Sequence, residues 1–535
     1  MYNQTFAIGP YTPAVVDEQS GKASQNQLAV VDGENFAWRA SGVFSAFGHE
    51  EVGFSLFSSA SHDNAFKVMD DVWHLTSDAV WSFKSGAWTI IHEWPEVDQD
   101  DPDLEWKWEP DDYRWTYAYV GTRHWFCHPS FGLFYYDQFD NTWGKYRSEH
   151  WDCPTWAITH SDNRLIVLLN DVVTWSMFDR GENFDDETWA CGTGAQSLAL
   201  VRYGQPLGVI PYFDGFVTFT TMGTMLSMPN SQPMQDPDGQ RLIIGAVVFQ
   251  HQEVSWESTP LGPTSIITID DKSGVWLSNK GIMQISPGQG GSQASITDMD
   301  PAMTLFYTEN ILPLAQGKQF GEFKLDYMPD VDCFSISSGW TGSLYERAHI
   351  YQRKLQRWAN FNFRHRHMAQ LGNAETRDLD ETRFGFMNFA RRLCVVDHRP
   401  HQFSWIRFSP ARLEAPNEQI PAAALMELMS LRFGVGRPPW VTVIPMALRS
   451  SYRNDKRRAW AENRNSVYVA GGWDSDTQNV DEGLRAHPVL RGENVHYYVI
   501  SCTGITHSIM VVCETADDFF EINHVEATFA FAGIL

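Results

Sequence analysis

Val80-Trp81-Ser82-Phe83-Lys84-Ser85-Gly86-Ala87-Trp88-Thr89-Ile90-Ile91 consists of two arms rich in apolar and aromatic residues around a Lys-Ser-Gly turn. Period-two alternation broken by a glycine-bearing turn is the pattern of a β-hairpin. The same unit returns as LFYYDQFDNTWGKY from Leu133 and HIYQRKLQRWANF from His349. Weaker copies are LIVLLNDVVTWSMF from Leu165, FVTFTTMGTMLSM from Phe216, VWLSNKGIMQI from Val275 and LCVVDHRPHQFSWI from Leu393. Successive copies stand roughly 30 to 75 residues apart, most near 50, the length of a four-stranded propeller blade. The fold expected is mainly β: a divergent β-propeller with loop insertions over residues 1–410, its N-terminal strand helping to close it. The competing reading is a set of unrelated hairpins in β-sandwiches. No WD40 or kelch signature repeats.

Composition agrees with a strand-rich globular chain. At 535 residues it exceeds what one hydrophobic core usually spans. It is 43% hydrophobic and 14% aromatic, with 22 Trp, and aromatic enrichment favours strands. The formal net charge of -26 repels DNA phosphates, which argues against tight nucleic-acid binding through a basic patch. The opening residues lack a basic n-region and an apolar h-region, so no secretory signal is expected, and no apolar run is long enough for a membrane helix. The seven Cys form no CxxC pair, so buried reduced thiols are expected and not zinc or a disulfide framework.

After Pro410 the texture changes. Alternating runs such as VTVIPMAL, SVYVAGG, HYYVISC, SIMVVCE and EATFAFAGIL predict an additional C-terminal β-sandwich-like domain over 411–535, with one short helix near Ala422 to Met429. Two charged tracts stand out. Glu93 to Asp112 holds ten carboxylates, including Asp98, Asp100, Asp101, Asp103, Asp111 and Asp112, against Lys107 alone. Such density resists burial and lacks the calcium-loop pattern, so a solvated or channel-facing loop is expected. The basic run Arg449 to Arg458, with Arg453, Lys456, Arg457 and Arg458, is expected at a subunit or docking contact, where opposite charges set register.

Chemistry is sparse. Phe139-Asp140-Asn141-Thr142-Trp143 and Phe184-Asp185-Asp186-Glu187-Thr188-Trp189 are only fragments of a sialidase-type Asp box. His365-Arg366-His367 could place two rings on one strand face, but Arg364 and Arg366 would repel a cation; His398 and His401 form a second pair. No P-loop, G-x-S-x-G, H-E-x-x-H or GxGxxG appears. No catalytic, metal or cofactor residue is assigned. Trp88, Trp143 and Trp358, each in the second arm of a hairpin, are expected as equivalent blade-core residues.

Three features together resemble the hub and nozzle proteins of short-tailed bacteriophages, also called packaged-DNA stabilisation proteins. They are the early stretch Val31-Asp32-Gly33-Glu34-Asn35-Phe36-Ala37-Trp38-Arg39-Ala40-Ser41-Gly42-Val43, the irregular Trp-bearing hairpins, and the closing stretch Asp518-Phe519-Phe520-Glu521-Ile522-Asn523-His524-Val525-Glu526-Ala527. The resemblance implies a non-enzymatic virion tail protein without cofactors that assembles in the host cytoplasm. It also implies a ring of identical subunits, six by family habit, that continues the tail channel with the portal, adaptor and other tail proteins, retains packaged DNA until ejection and then lets it pass without tight binding. An acidic or neutral lumen suits that role, because cationic contacts would hold phosphate. A carbohydrate-binding propeller is the alternative and would expose Trp in pockets; a propeller glycosidase would need convergent carboxylates. The structural reading expects Trp in blade cores.

Overall fold

In a computed structural model the chain is almost entirely β. The structure describes the chain apart from a set of connecting segments, the longest being 12–26, 52–63, 95–111, 185–195, 370–384, 414–423 and 449–472. Among the described residues, seven antiparallel four-stranded units follow one another as blades 1 to 7: 64–93, 116–146, 157–199, 206–255, 266–298, 323–365 and 367–396. Blade 7 takes only three strands from its own segment, and its fourth, His49–Glu51, arrives from the N-terminal part of the chain. First strands of neighbouring blades lie against one another from blade 2 round to blade 7. The first strand of blade 7 then meets that of blade 1, and Asn64 Nδ2 of blade 1 donates to Trp115 O beside blade 2 at 2.9 Å. The units therefore close into a seven-bladed propeller, which leaves no open sheet at the end of the ring.

Six of the seven hairpins read from the sequence fall one in each of blades 1 to 6, but in two phases. Those at Val80, Leu133 and His349 join the third and fourth strands of their blades. Those at Leu165, Phe216 and Val275 join the second and third. This phase shift is one source of the irregular spacing. The copy at Leu393 is not a hairpin: Leu393–Val396 belongs to blade 7, whereas Ser404–Phe408 joins another sheet.

That other sheet has nine strands in the order Thr442–Leu448, Thr506–Cys513, Ser404–Phe408, Gln27–Glu34, Tyr2–Tyr11, His524–Ile534, Ala424–Gly434, His496–Gly504 and Pro488–Leu490. It coils until Thr442–Leu448 lies against His496–Gly504. Phe6, Leu28, Phe408, Leu428, Ile509 and Ala527 face one another across its apolar interior, a sandwich-like arrangement. The domain division expected at residue 410 does not follow the sheets, since residues 2–11, 27–34 and 404–408 pair with strands from beyond 410. The helix expected at Ala422 to Met429 is instead the strand Ala424–Gly434. Met426, Leu428, Leu431 and Phe433 are buried in two alternating pairs offset by the irregularity between Leu428 and Ser430, and pairing on both sides overrides the helix preference of Ala, Leu, Met and Glu.

Propeller and sheet share one core, which runs from Phe6 and Phe529 through Trp38 to Phe334 and Trp358. At the seam, Phe36–Arg39 and Gly42–Ser45 extend blade 6 beyond Arg357–His365, and Glu521–Ile522 adds the last strand. Gly42, at φ +148°, is needed there, because a Cβ would stand 2.2 Å from the Ile522 carbonyl oxygen. Gln352 reaches across 314 residues: its Nε2 donates to Trp38 O and its Oε1 accepts from Trp38 N–H, both at 3.0 Å. Trp38 Nε1 donates to Trp358 O at 2.6 Å, Asn360 Nδ2 to Gly33 O at 2.7 Å, and Asn362 N–H to Asn35 Oδ1 at 2.8 Å. Replacing Gln352 by Ala strands two buried backbone groups of Trp38, so chemical denaturation should show a loss of about 2–4 kcal/mol. A variant as stable as the parent would remove the seam from this account.

Candidate functional site

The first strands of all seven blades surround an axial cavity of about 300 Å³. Its position follows from the fold, because first strands are innermost and their side chains are what a propeller can present to its axis. One end is closed by three consecutive residues, Tyr113-Arg114-Trp115, which lead into blade 2. Tyr113 OH donates to Pro206 O at the start of blade 4, and its own carbonyl oxygen meets His128 Nε2 at 3.1 Å. Arg114 crosses the axis. Its Nη1 donates to Asp326 Oδ1 of blade 6 at 2.8 Å, and its Nη2 donates to Leu325 O at 2.8 Å and to Thr264 O before blade 5. Asp326 is 5% exposed; it also accepts Met368 N–H of blade 7 at 3.2 Å and lies 3.5 Å from Lys324 Nζ. Burial lowers the Arg114 guanidinium from its ordinary range while Asp326 raises it, so the ion pair is what keeps a cation in this place.

The walls differ from side to side. Phe66 of blade 1 and Tyr117 of blade 2 form an aromatic wall, with ring centroids 5.4 Å apart. Ile210, Pro211 and Ile266 of blades 4 and 5 form an aliphatic one. Tyr119 and Thr268 are exposed at the far end, with His160 and Tyr327 between them and the floor. Burial and Asp332, to which the Tyr327 hydroxyl donates at 3.1 Å, push that phenol up to about 12. Sequence reasoning passed over Arg114, Asp326, Phe66 and Tyr117. The one available signal was a lone Arg between two aromatics directly after the acidic tract.

Of the residues singled out from the sequence, Asp112 is exposed, whereas Asp98, Asp100, Asp101, Asp103 and Asp111 lie outside the described residues. So do Arg453, Lys456, Arg457 and Arg458, and His398 and His401. Trp88, Trp143 and Trp358 occupy the same register, each opposite an aromatic of the preceding strand: Phe83, Tyr136 and Tyr351. Their expected equivalence as core residues fails on burial. Only Trp358 is fully buried, whereas Trp88 and Trp143 are half-buried. The fourth strand is the outer rim of a blade, and among the described residues only in blade 6 do further strands cover it. Trp143 instead stacks on His92 of blade 1 at 4.5 Å. Trp358→Ala should therefore cost about 3–5 kcal/mol, and Trp88→Ala or Trp143→Ala about half that, by urea denaturation.

The paired-ring reading of His365 and His367 also fails. A bend at Arg366 separates them, so His365 ends blade 6 and His367 begins blade 7. His365 is a structural group: Ser337 Oγ donates to its Nε2 at 2.7 Å and its Nδ1–H donates to Phe363 O at 3.0 Å. Burial pulls its imidazole down to about 4, as it does that of His251. No group of three or more metal-ligating side chains occurs among the described residues. A folded-state pKa below the unfolded value means that the unfolded chain binds more protons as the medium acidifies. Stability carried by His251 and His365 is thus complete above pH 6.5 and is lost as pH falls toward 4. Melting temperature should fall over that window, with a shallower fall in His251→Phe; an unchanged slope in that variant would contradict the assignment.

No protein-family model and no curated protein matches the sequence. Among solved structures, the chain is similar at 9% identity to the extracellular domain of a one-component system from B. thetaiotaomicron, over 67% of this chain, with a TM-score of 0.36. The chain spans only 40% of that protein's length. YCF48 bound to D1 peptide is similar over 67% of this chain and 99% of its own, at 9% identity and a TM-score of 0.34. The WD40 repeats of RRP9 are similar over 66% and 99%, at 9% identity and a TM-score of 0.37. These are resemblances of architecture alone.

Proposed function

We propose that this chain is a structural, non-catalytic virion protein, a ring-forming hub or nozzle subunit in the tail of a short-tailed bacteriophage. The observation that carries the reading is the meeting of its two family-like stretches. Val31–Val43 and Asp518–Ala527 are far apart in sequence, yet Val43 pairs with Ile522 and the two together form the seam. Residues that resemble a family at both ends of a chain, and that turn out to be one structural unit, have a common reason to be retained. A second observation favours this reading over a Trp-lined glycan surface: no tryptophan whose burial is described is exposed, and Trp115, Trp125, Trp156, Trp175 and Trp276 lie fully in the cores.

In this reading DNA does not thread the propeller, whose axis Arg114 closes. It passes through the opening made by several copies around a common axis, and a charge of -26 per chain keeps it from sticking. A cyclic ring uses two different faces of each subunit, and the basic run near Arg453 supplies one of them. Changing Arg453, Lys456, Arg457 and Arg458 to Glu should leave the melting temperature within about 2 °C of the parent and abolish rings in electron micrographs. If the parent protein forms no closed ring and binds duplex DNA with a steep salt dependence, a DNA-holding role replaces the conduit.

A further inference from the structure

We infer that the axial cavity is a binding site for a neutral saccharide ring, a role independent of the assembly reading above. The cavity, about 300 Å³, lies at the lower edge of the size range of small-molecule sites, roughly 300–1,000 Å³. Its floor is polar and held rigid from several directions. Arg114 spends both Nη2 hydrogens on Thr264 O and Leu325 O and one Nη1 hydrogen on Asp326. Guanidinium carries five N–H donors, so Nε–H and one Nη1–H remain unengaged among the described residues. The side chain is 10% exposed and lines the cavity. A buried guanidinium with spare donors at the base of a preformed recess invites an oxygen acceptor.

Charge decides what kind of acceptor. Turns at the open end of the first strands carry Asp162, Asp214, Asp270 and Asp332 together with Lys272. Arg164 and Arg353 answer some of these carboxylates, Arg353 Nη1 standing 2.6 Å from Asp332. Three bases thus stand against four carboxylates at the approach and the floor is itself an Arg114–Asp326 pair, so a desolvated anion and a desolvated cation each face a barrier that no net countercharge offsets. A neutral ligand that offers hydroxyl oxygens meets neither barrier. The walls then favour a ring with an apolar face. Phe66 and Tyr117, which also pack against the core between blades 1 and 2, give one wall apolar surface for the C–H face of a sugar, Ile210, Pro211 and Ile266 line another side, and His160 and Thr268 add polar groups. Space limits the guest to one or two rings.

The test uses the full chain, with calorimetry and saturation-transfer NMR. The probes are methyl glucoside, methyl galactoside, N-acetylglucosamine and their β-linked disaccharides, and inorganic phosphate and acetate serve as the anion arms. At least one sugar should bind saturably with Kd of about 1 mM, the range expected for a ligand of this size. Thr268→Trp fills the open end from an exposed position; it should raise that Kd at least tenfold with the melting temperature unchanged. Phe66→Ala should weaken binding and remove the ring-proton transfer signal. Arg114→Lys serves as a third variant only if its melting temperature shows that the fold survives. Absence of saturable binding by every sugar overturns the proposal, as does binding by phosphate or acetate alone, or sugar binding that Thr268→Trp leaves intact.

Discussion

The reciprocal pair between Gln352 and Trp38 is the contact on which this architecture rests. A propeller needs its last blade completed by a strand from elsewhere, and here that strand is His49–Glu51. To reach blade 7 it must leave the nine-stranded sheet at Glu34, pass the rim of blade 6 and turn back within 15 residues of Asn35. The amide of Gln352 fixes that path by satisfying both backbone groups of Trp38 at once in a buried site. The Trp358 carbonyl and the Arg357 guanidinium, 4.4 Å from the Trp38 ring centre, hold the indole from the same strand.

Because both chain ends are committed to the seam, the propeller and the sheet are not two beads on a linker. Gln27–Glu34 runs into Phe36–Arg39 through Asn35 alone, a residue at φ +55° whose Oδ1 accepts from Asn362 N–H and whose carbonyl oxygen accepts from Ser404 Oγ at 2.7 Å. Glu521–Ile522 runs into His524–Ile534 in the same way. Two such crossings, with one continuous core between them, couple loads on the sheet to blade 6 without a hinge.

Local pattern was legible in the sequence and long-range pattern was not. Strand periodicity and turn residues located a segment in every blade, because alternation and a polar turn are properties of ten or so neighbouring residues. Tyr2–Tyr11 also alternates, but nothing within it says that its partner is His524–Ile534, and this is why the boundary at 410 was drawn on texture and missed the exchange of strands. Ala424–Gly434 misled in the opposite direction, since its composition favours helix and only pairing on both sides makes it a strand. The rim tryptophans were found in the right register, yet their burial depends on whether another strand covers the blade, which blade 6 has and the outer edges of blades 1 and 2 lack.

The axial site was illegible for a different reason. Its residues come in short runs from seven blades between Asn64 and Met368, so no single spacing marks them. What marks Arg114 is physical. A guanidinium is costly to bury, and the chain spends an aspartate, two carbonyl oxygens and three blades to keep this one in the axis. If its task were only to tie blades 2, 5 and 6 together, well-packed apolar residues would do so at less electrostatic cost, as they do between blades 3 and 4, where Trp175 and Phe216 sit in a common apolar core. The same cation closes the axis and lines the recess above it with hydrogen-bond donors. A structural bolt and a ligand floor are therefore one arrangement seen from its two sides, and the apolar bolt that would serve the first purpose could not serve the second.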